Sequence, residues 1–372
     1  MTSVLHLFDD SHDATLLQVL ATLSRRHDAD RHEQTVCCLG ACSSRWAGDP
    51  PPVNFEHVTH RLPKMFHYVP GLSRIASRSG AGLVHAWGLE AAAAASARLG
   101  DLPQVMTILN PAAVQLTAGW LRSLPHEATI AAGSQVIRSR LISGGVSPER
   151  VVVIRGPADF AAVNKAKQSD LRRTLVSEGG PVVLMDGPAS RGGGQYYGLW
   201  ACAVVRKVLP ALRVLLPYDS KESRRLHRFI RQIGMADMVI VPELSWSWSQ
   251  LVACADVFMC PAVEETCTEP LASAMAAGLP IVGSAVRSIT EMIADKHNGL
   301  LCKPGDPRAL ASKLLTAIED TDLRRRITEV ARGQAYEVFG VRDFADNYAR
   351  LYENVLAHRP AADGIRDTAM VA

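Results

Sequence analysis

The sequence predicts an α/β protein of two domains, each a parallel sheet covered by helices. Three observations carry that expectation. At 372 residues the chain exceeds one domain of ordinary size. Short apolar strands alternate with amphipathic helices in two series, each long enough for a core of its own. In the second series, residues 255–305 read strand, helix, strand at close spacing, which favours parallel pairing.

In the first series, residues 4–8 form a short buried strand, and 14–26 carry Leu16, Leu17, Val19, Leu20 and Leu23 at helical spacing. Between them lies the acidic run Asp9-Asp10-Ser11-His12-Asp13, in which Asp13 is placed to cap the helix, a catalytic role being the alternative. Strands follow at 35–39 and 53–58, across a loop rich in glycine and proline. Residues 60–80 carry Arg61, Lys64, Arg74 and Arg78 without an acid, interleaved with Met65, Phe66, Tyr68, Val69 and Leu72. Such a segment suits an anionic membrane surface or an acidic acceptor, and equally a solvated helix face. A strand at 82–86 holds His85, an alanine-rich helix occupies 89–99, and further strands fall at 105–109, 129–133 and 151–154. Ser134 caps the helix before Gly144-Gly145. The first domain therefore spans 1–157, and 158–180 reads as a linker.

The second domain is expected over 181–340. A strand at 182–185 enters the loop Asp186-Gly187-Pro188-Ala189-Ser190-Arg191-Gly192-Gly193-Gly194, whose glycines can turn amides toward an anion at the start of the helix near Gln195, or simply form a flexible loop. Strands at 212–216 and 238–241 flank a helix with Arg224, Arg225, Arg228 and Arg231, read as a solvated face. Trp246 and Trp248 can pack near a nucleotide or close a core. The strand at 255–260 ends at Pro261, and the helix at 269–277 has Pro270 in its first turn and stops at Gly278 with Pro280. Strands at 281–284 and 300–303 and helices at 307–318, 322–338 and 341–356 complete the chain, with a disordered tail expected at 359–372.

Composition narrows the function classes. Net charge is +3, from 40 basic and 37 acidic residues, too balanced to argue for nucleic acid. Eight cysteines contain no CxxC pair and read as buried small hydrophobes in a reducing compartment. No signal peptide is visible and no apolar run approaches the roughly 18 residues of a membrane span. A cytoplasmic location is expected, with peripheral contact at the inner membrane face through 60–80.

The order Pro261, a loop glutamate, Glu269-Pro270-Leu271, Ala274-Met275-Ala276-Ala277-Gly278-Leu279-Pro280, Asn298-Gly299-Leu300-Leu301 and Pro304-Gly305-Asp306 resembles the donor domain of the retaining GT-B glycosyltransferases usually called family 4. The resemblance implies the GT-B architecture, two Rossmann-like domains with a cleft between them, the last helix crossing back onto the first domain. It further implies transfer of a hexose from a nucleotide-diphosphate sugar to an acceptor hydroxyl, a glycan, lipid or small molecule, with retention and without a metal or other cofactor. Relatives carry two glutamates eight positions apart, one for the sugar and one for the ribose, and those places here hold Glu265 and Ser273. Glu265 is thus expected to act on the sugar. Arg191, Gly192 and Gly194 are expected to hold the diphosphate, with Ser273 and Glu269 beside the nucleotide and His85 as the surviving strand-end histidine.

Several positions depart from that pattern. Pro188 and Gly193 stand where relatives place an arginine and a lysine, Leu109 where they place a histidine, Thr266-Cys267-Thr268 for glycine-aromatic-glycine, and Arg287-Ser288 for paired glycines. Two lost cations would cost several kcal/mol of diphosphate binding, at about 1.5 to 3 each. A non-catalytic GT-B-like binding or scaffold protein with a degraded donor site is therefore the second reading.

Overall fold

The structure is a computed structural model and describes residues 2–9, 14–26, 32–39, 54–58, 71–111, 114, 128–176, 179–187, 190–217, 223–242 and 246–366. The chain divides into two compact units, one of Met1–Gly156 with Val341–Asp367 and one containing Pro157–Gly340. The expected loop at 40–52, the acidic residues 10–13 and the basic residues 60–70 lie outside the described residues.

In the first unit the strands are β1 (Thr2–Asp9), β2 (His32–Leu39), β3 (Asn54–Val58), β4 (Ala81–Trp87), β5 (Gln104–Ile108), β6 (Thr129–Ala132) and β7 (Val151–Val153). They pair in parallel in the order β3-β2-β1-β4-β5-β6-β7. Crossover helices follow from that pairing: α1 (Ala14–Arg26), α2 (Leu72–Arg78), α3 (Leu89–Arg98) and α4 (Gln135–Ser143). Ala91 to Ala95 of α3 are all buried, because methyl side chains let the helix lie close against β1 and β4. Ser134 caps α4, accepting from the Ile137 amide at 3.3 Å. In α2, Leu72, Ile75 and Ala76 turn into the core while Arg74 and Arg78 face solvent, and Arg78 pairs with Glu56.

The second unit opens earlier than expected. Residues 158–176, anticipated as a linker, are built into it through α5 (Phe160–Lys167) and α6 (Leu171–Leu175), with Ala158, Val163 and Val176 in its core. Arg172 anchors the segment by two bonds to the Asp256 carboxylate, at 3.0 and 2.7 Å. Then come β8 (Val182–Met185), α7 (Gln195–Val205), β9 (Arg213–Leu215), α8 (Ser223–Gln232), β10 (Val239–Ile240), α9 (Trp248–Ala253), β11 (Val257–Cys260), α10 (Glu269–Ala276), β12 (Ile281–Ser284), α11 (Arg287–Thr290), β13 (Leu300–Cys302), α12 (Pro307–Glu319) and α13 (Thr321–Val338). The sheet order is β10-β9-β8-β11-β12-β13, all parallel. Its central strands β8, β11 and β12 are buried on both faces, which is why they read as continuous apolar runs. Trp248 is buried and Trp246 packs against the same core.

The last helix, α14 (Val341–Leu356), belongs to the first unit. Tyr348 and Tyr352 are fully buried there, because each hydroxyl finds a partner on the sheet. The tail expected to be disordered from Arg359 is instead bonded to α14 as far as Arg366. Asn354 donates to the Asp363 carbonyl at 2.8 Å, and the Arg366 amide donates to Asn347 at 3.2 Å. Seven cysteines lie among the described residues, six of them buried. Burial pushes the thiols of Cys37 and Cys202 up to about 12 and those of Cys254 and Cys302 to about 11.

Candidate functional site

In the second unit the strand order reverses between β8 and β11, the point beyond whose carboxyl ends open parallel sheets bind ligands. The loop after β8 is the glycine run, and the loop after β11 carries Glu264 and Glu265. The two are joined by backbone: the Val263 and Glu264 amides both donate to the Gly192 carbonyl, at 2.9 and 3.1 Å. A Cβ on Gly192 would lie 2.5 Å from a Glu264 carboxylate oxygen, and one on Gly194 would lie 1.8 Å from the Pro261 carbonyl oxygen. Gly194 also has φ +75°, so both sterics and torsion require glycine there. Close packing of the loops accounts for Gly192 and Gly194.

The Gly193 amide donates to Ser190 Oγ at 3.1 Å, and Gln195, fully buried at the start of α7, donates its amide to the Gly187 carbonyl. Its Oε1 is buried with no hydrogen-bond partner among the described residues. Arg191 is exposed at the rim, the single cation of this loop. Pro188 lies outside the described residues.

Glu265 is half-buried, and its Oε2 accepts from the Ser288 amide at 2.7 Å. Ser288 Oγ in turn accepts from the Thr266 amide at 3.1 Å. Ser288 sits in the first turn of α11, where amides have no helical partner, so the carboxylate is placed where a helix start favours negative charge. This clasp was missed in the sequence, where Ser288 appears only as a replacement for glycine. Glu269 begins α10, is buried, and accepts from the Thr268 amide at 3.0 Å. One turn on, Ser273 Oγ donates to the Glu269 carbonyl at 3.2 Å, a back-bond that leaves a hydroxyl without charge where the family resemblance leads one to expect a carboxylate. The second unit thus brings Arg191, Gly192, Gly194, Glu265, Glu269 and Ser273 to the ends of β8 and β11 and the helices that follow.

His85 is a correction. The structure buries it completely in the first unit, Nδ1 2.7 Å from the Tyr352 hydroxyl and Nε2 2.7 Å from Thr107 Oγ1. Thr107 Oγ1 also meets the Tyr348 hydroxyl at 2.8 Å, and Trp87 donates to His6 Nδ1 at 3.1 Å. Burial, then the neighbouring His6, hold the His85 imidazole well below its ordinary range. Both ring nitrogens are engaged and no face meets solvent, so the ring fixes α14 to β4 and β5 rather than serving an acceptor.

Two doubly wound parallel sheets are the GT-B fold, and residues 167–334, nearly all of the second unit, match the family model for glycosyl transferases group 1. The chain is similar to the Anabaena protein HepE, whose crystal structure holds UDP and glucose, with 19% identity and a TM-score of 0.76 over 95% of this chain and 100% of that one. A sucrose-phosphate synthase of Thermosynechococcus elongatus shows 15% identity and a TM-score of 0.75 over 96% and 100%. Among curated proteins, the N-acetyl-alpha-D-glucosaminyl L-malate synthase of Bacillus anthracis is 28% identical over 144 residues, 39% of this chain and 38% of that relative's length.

Proposed function

We propose that this chain is a retaining glycosyltransferase that moves a hexose from a nucleotide-diphosphate sugar to an acceptor hydroxyl. The observation that supports it most is the pairing of the glycine run with the Glu265 loop at the strand-order reversal of the second sheet. The group 1 match over that unit supports the same reading. In this account the glycine loop, the start of α7 and Arg191 take the diphosphate, and Glu265 faces the transferred sugar, where its charge stabilises an oxocarbenium-like transition state. The bond from the anomeric carbon to the diphosphate oxygen breaks, the leaving group takes the electron pair, and the acceptor oxygen bonds the same face as its proton passes to the departing diphosphate oxygen. Glu269 and Ser273 flank the nucleoside, the serine hydroxyl replacing a carboxylate. Glycan, lipid and small-molecule acceptors all fit this chemistry.

Calorimetry with UDP, GDP and ADP and their hexose conjugates tests the reading. UDP comes first because the Anabaena fold relative was solved with it. Binding at micromolar to millimolar concentration, and sugar release or transfer that Glu265→Gln suppresses, are the expected results. Product anomers read by NMR decide retention. No binding to any of these at millimolar concentration would favour the scaffold reading and leave Glu265 without a substrate.

A further inference from the structure

Most helices of the second unit bury their apolar residues, but α7 does not bury all of its own. Tyr197 is 38% exposed, Trp200 48% and Val204 46%, three and four positions apart on one face, and Val208 follows at 59% in the turn just past the helix. Beside this stripe lies α8. Its Phe229 stacks on Trp200 with ring centroids 6.3 Å apart and an interplanar angle of 30°, and it meets Tyr196 at 5.1 Å. The two helices therefore share one outer surface. On α8, Leu226 and Ile230 are buried while Arg224, Arg225, His227, Arg228 and Arg231 face solvent. Arg225 stands one turn before Phe229 on the edge nearest α7. No acid occurs in 195–217 or in 223–236, whereas Lys207 adds a further exposed cation at the end of α7.

An exposed tryptophan and tyrosine with two valines, bordered by arginines and free of acids in these segments, is a surface for an apolar layer under negative charge. We propose that the α7 and α8 face docks on an anionic phospholipid bilayer, the apolar stripe entering the headgroup boundary and the arginines meeting lipid phosphates. Charge complementarity selects the anionic surface. The aliphatic valines favour lipid over nucleic acid, whose backbone offers them nothing. No helix among the described residues is long and apolar enough to cross a membrane, so the contact is peripheral. Because α7 begins at the glycine loop, a bilayer on this face lies beside the donor site proposed above.

The test is sedimentation of the full chain with vesicles of phosphatidylcholine, alone or mixed with phosphatidylglycerol. Two double variants accompany it, Trp200→Ser with Val204→Ser, and Arg225→Gln with Arg228→Gln, all at exposed positions and checked for fold by circular dichroism. The expected result is binding to the anionic vesicles, little to the neutral ones, and at least about tenfold weaker partitioning in each variant, since each juxtamembrane arginine contributes roughly fivefold. Raising the salt should weaken wild-type binding and leave the arginine variant less affected. Three results would overturn the proposal. One is no binding to anionic vesicles. Another is unchanged binding in both variants, with loss instead on Arg61→Gln and Lys64→Gln. The third is a lipid-free oligomer that the Trp200→Ser, Val204→Ser variant dissolves, which would give this face to a second copy of the chain.

Discussion

Replacing Gly194 by alanine should dislodge the glycine loop from the strand-end loop that carries Glu265. Two costs add. At φ +75° an L-residue loses about 1 to 2 kcal/mol relative to glycine. The new Cβ would also stand 1.8 Å from the Pro261 carbonyl oxygen, where real Cβ contacts below 3.0 Å are essentially never seen, so one loop must move by more than an ångström. That shift breaks the two bonds from the Val263 and Glu264 amides to Gly192, at about 1 kcal/mol each. The total is about 3 to 4 kcal/mol. Gly234→Ala is the matched control in the same unit: its φ is +68° but nothing lies within 4 Å of the added Cβ, so only the torsional cost of about 1 to 2 kcal/mol applies. Urea unfolding of both variants measures the difference, and nucleotide titration of the folded Gly194→Ala protein should show binding at least about tenfold weaker. Equal stability losses in the two variants, or unaltered nucleotide binding in Gly194→Ala, would refute the steric argument.

Arg191→Ala should weaken nucleotide-diphosphate binding by about tenfold or more in calorimetry, the effect of one charge-assisted contact; unchanged affinity would put the phosphates elsewhere, with the arginines of α8 next to be tested. Ser288→Pro removes the amide that Glu265 accepts from, at a helical first turn where proline is tolerated. Transfer should fall at least about tenfold while nucleotide affinity stays within about twofold, whereas Ser288→Ala keeps the amide and most of the activity; equal rates in the two variants would remove Ser288 as a positioning residue. His85 is buried with a lowered pKa, so below the ordinary imidazole value of 6.5 the unfolded chain binds a proton that the folded one refuses. Stability should therefore fall with pH below that value by up to about 1.4 kcal/mol per unit, and His85→Gln should flatten the slope; urea midpoints across acid pH check this, and parallel slopes would contradict it.

The strands of the second unit were legible to within two residues, at 182–185 and 281–284 without error, because a parallel strand covered on both faces is a bare apolar run between turn residues. The start of that unit was not. In α5 and α6 the cations Lys165, Lys167, Arg172 and Arg173 interrupt any apolar stripe, and what holds the segment is the pairing of Arg172 with Asp256, 84 positions away. At the site, local features were readable: the glycine run, the strand-end glutamates and the proline-started helix. The clasp of Glu265 by Ser288 spans 23 positions, and no local pattern announces it. His85 misled for the same reason. Its tyrosine partner lies 267 positions off on the last helix, so a histidine that is a core hydrogen-bonding group looks in sequence like one at a strand end facing substrate.

Hydrogen exchange of the full chain with and without a nucleotide-diphosphate sugar tests the proposed donor site most directly, since it needs no acceptor and reads every backbone amide. The account predicts slowed exchange confined to the glycine loop around 187–195, the strand-end segment 261–269 and the first turn of α11 near Ser288. Protection of the first unit alone, or of none of these segments at a nucleotide concentration that calorimetry shows to saturate, would contradict it.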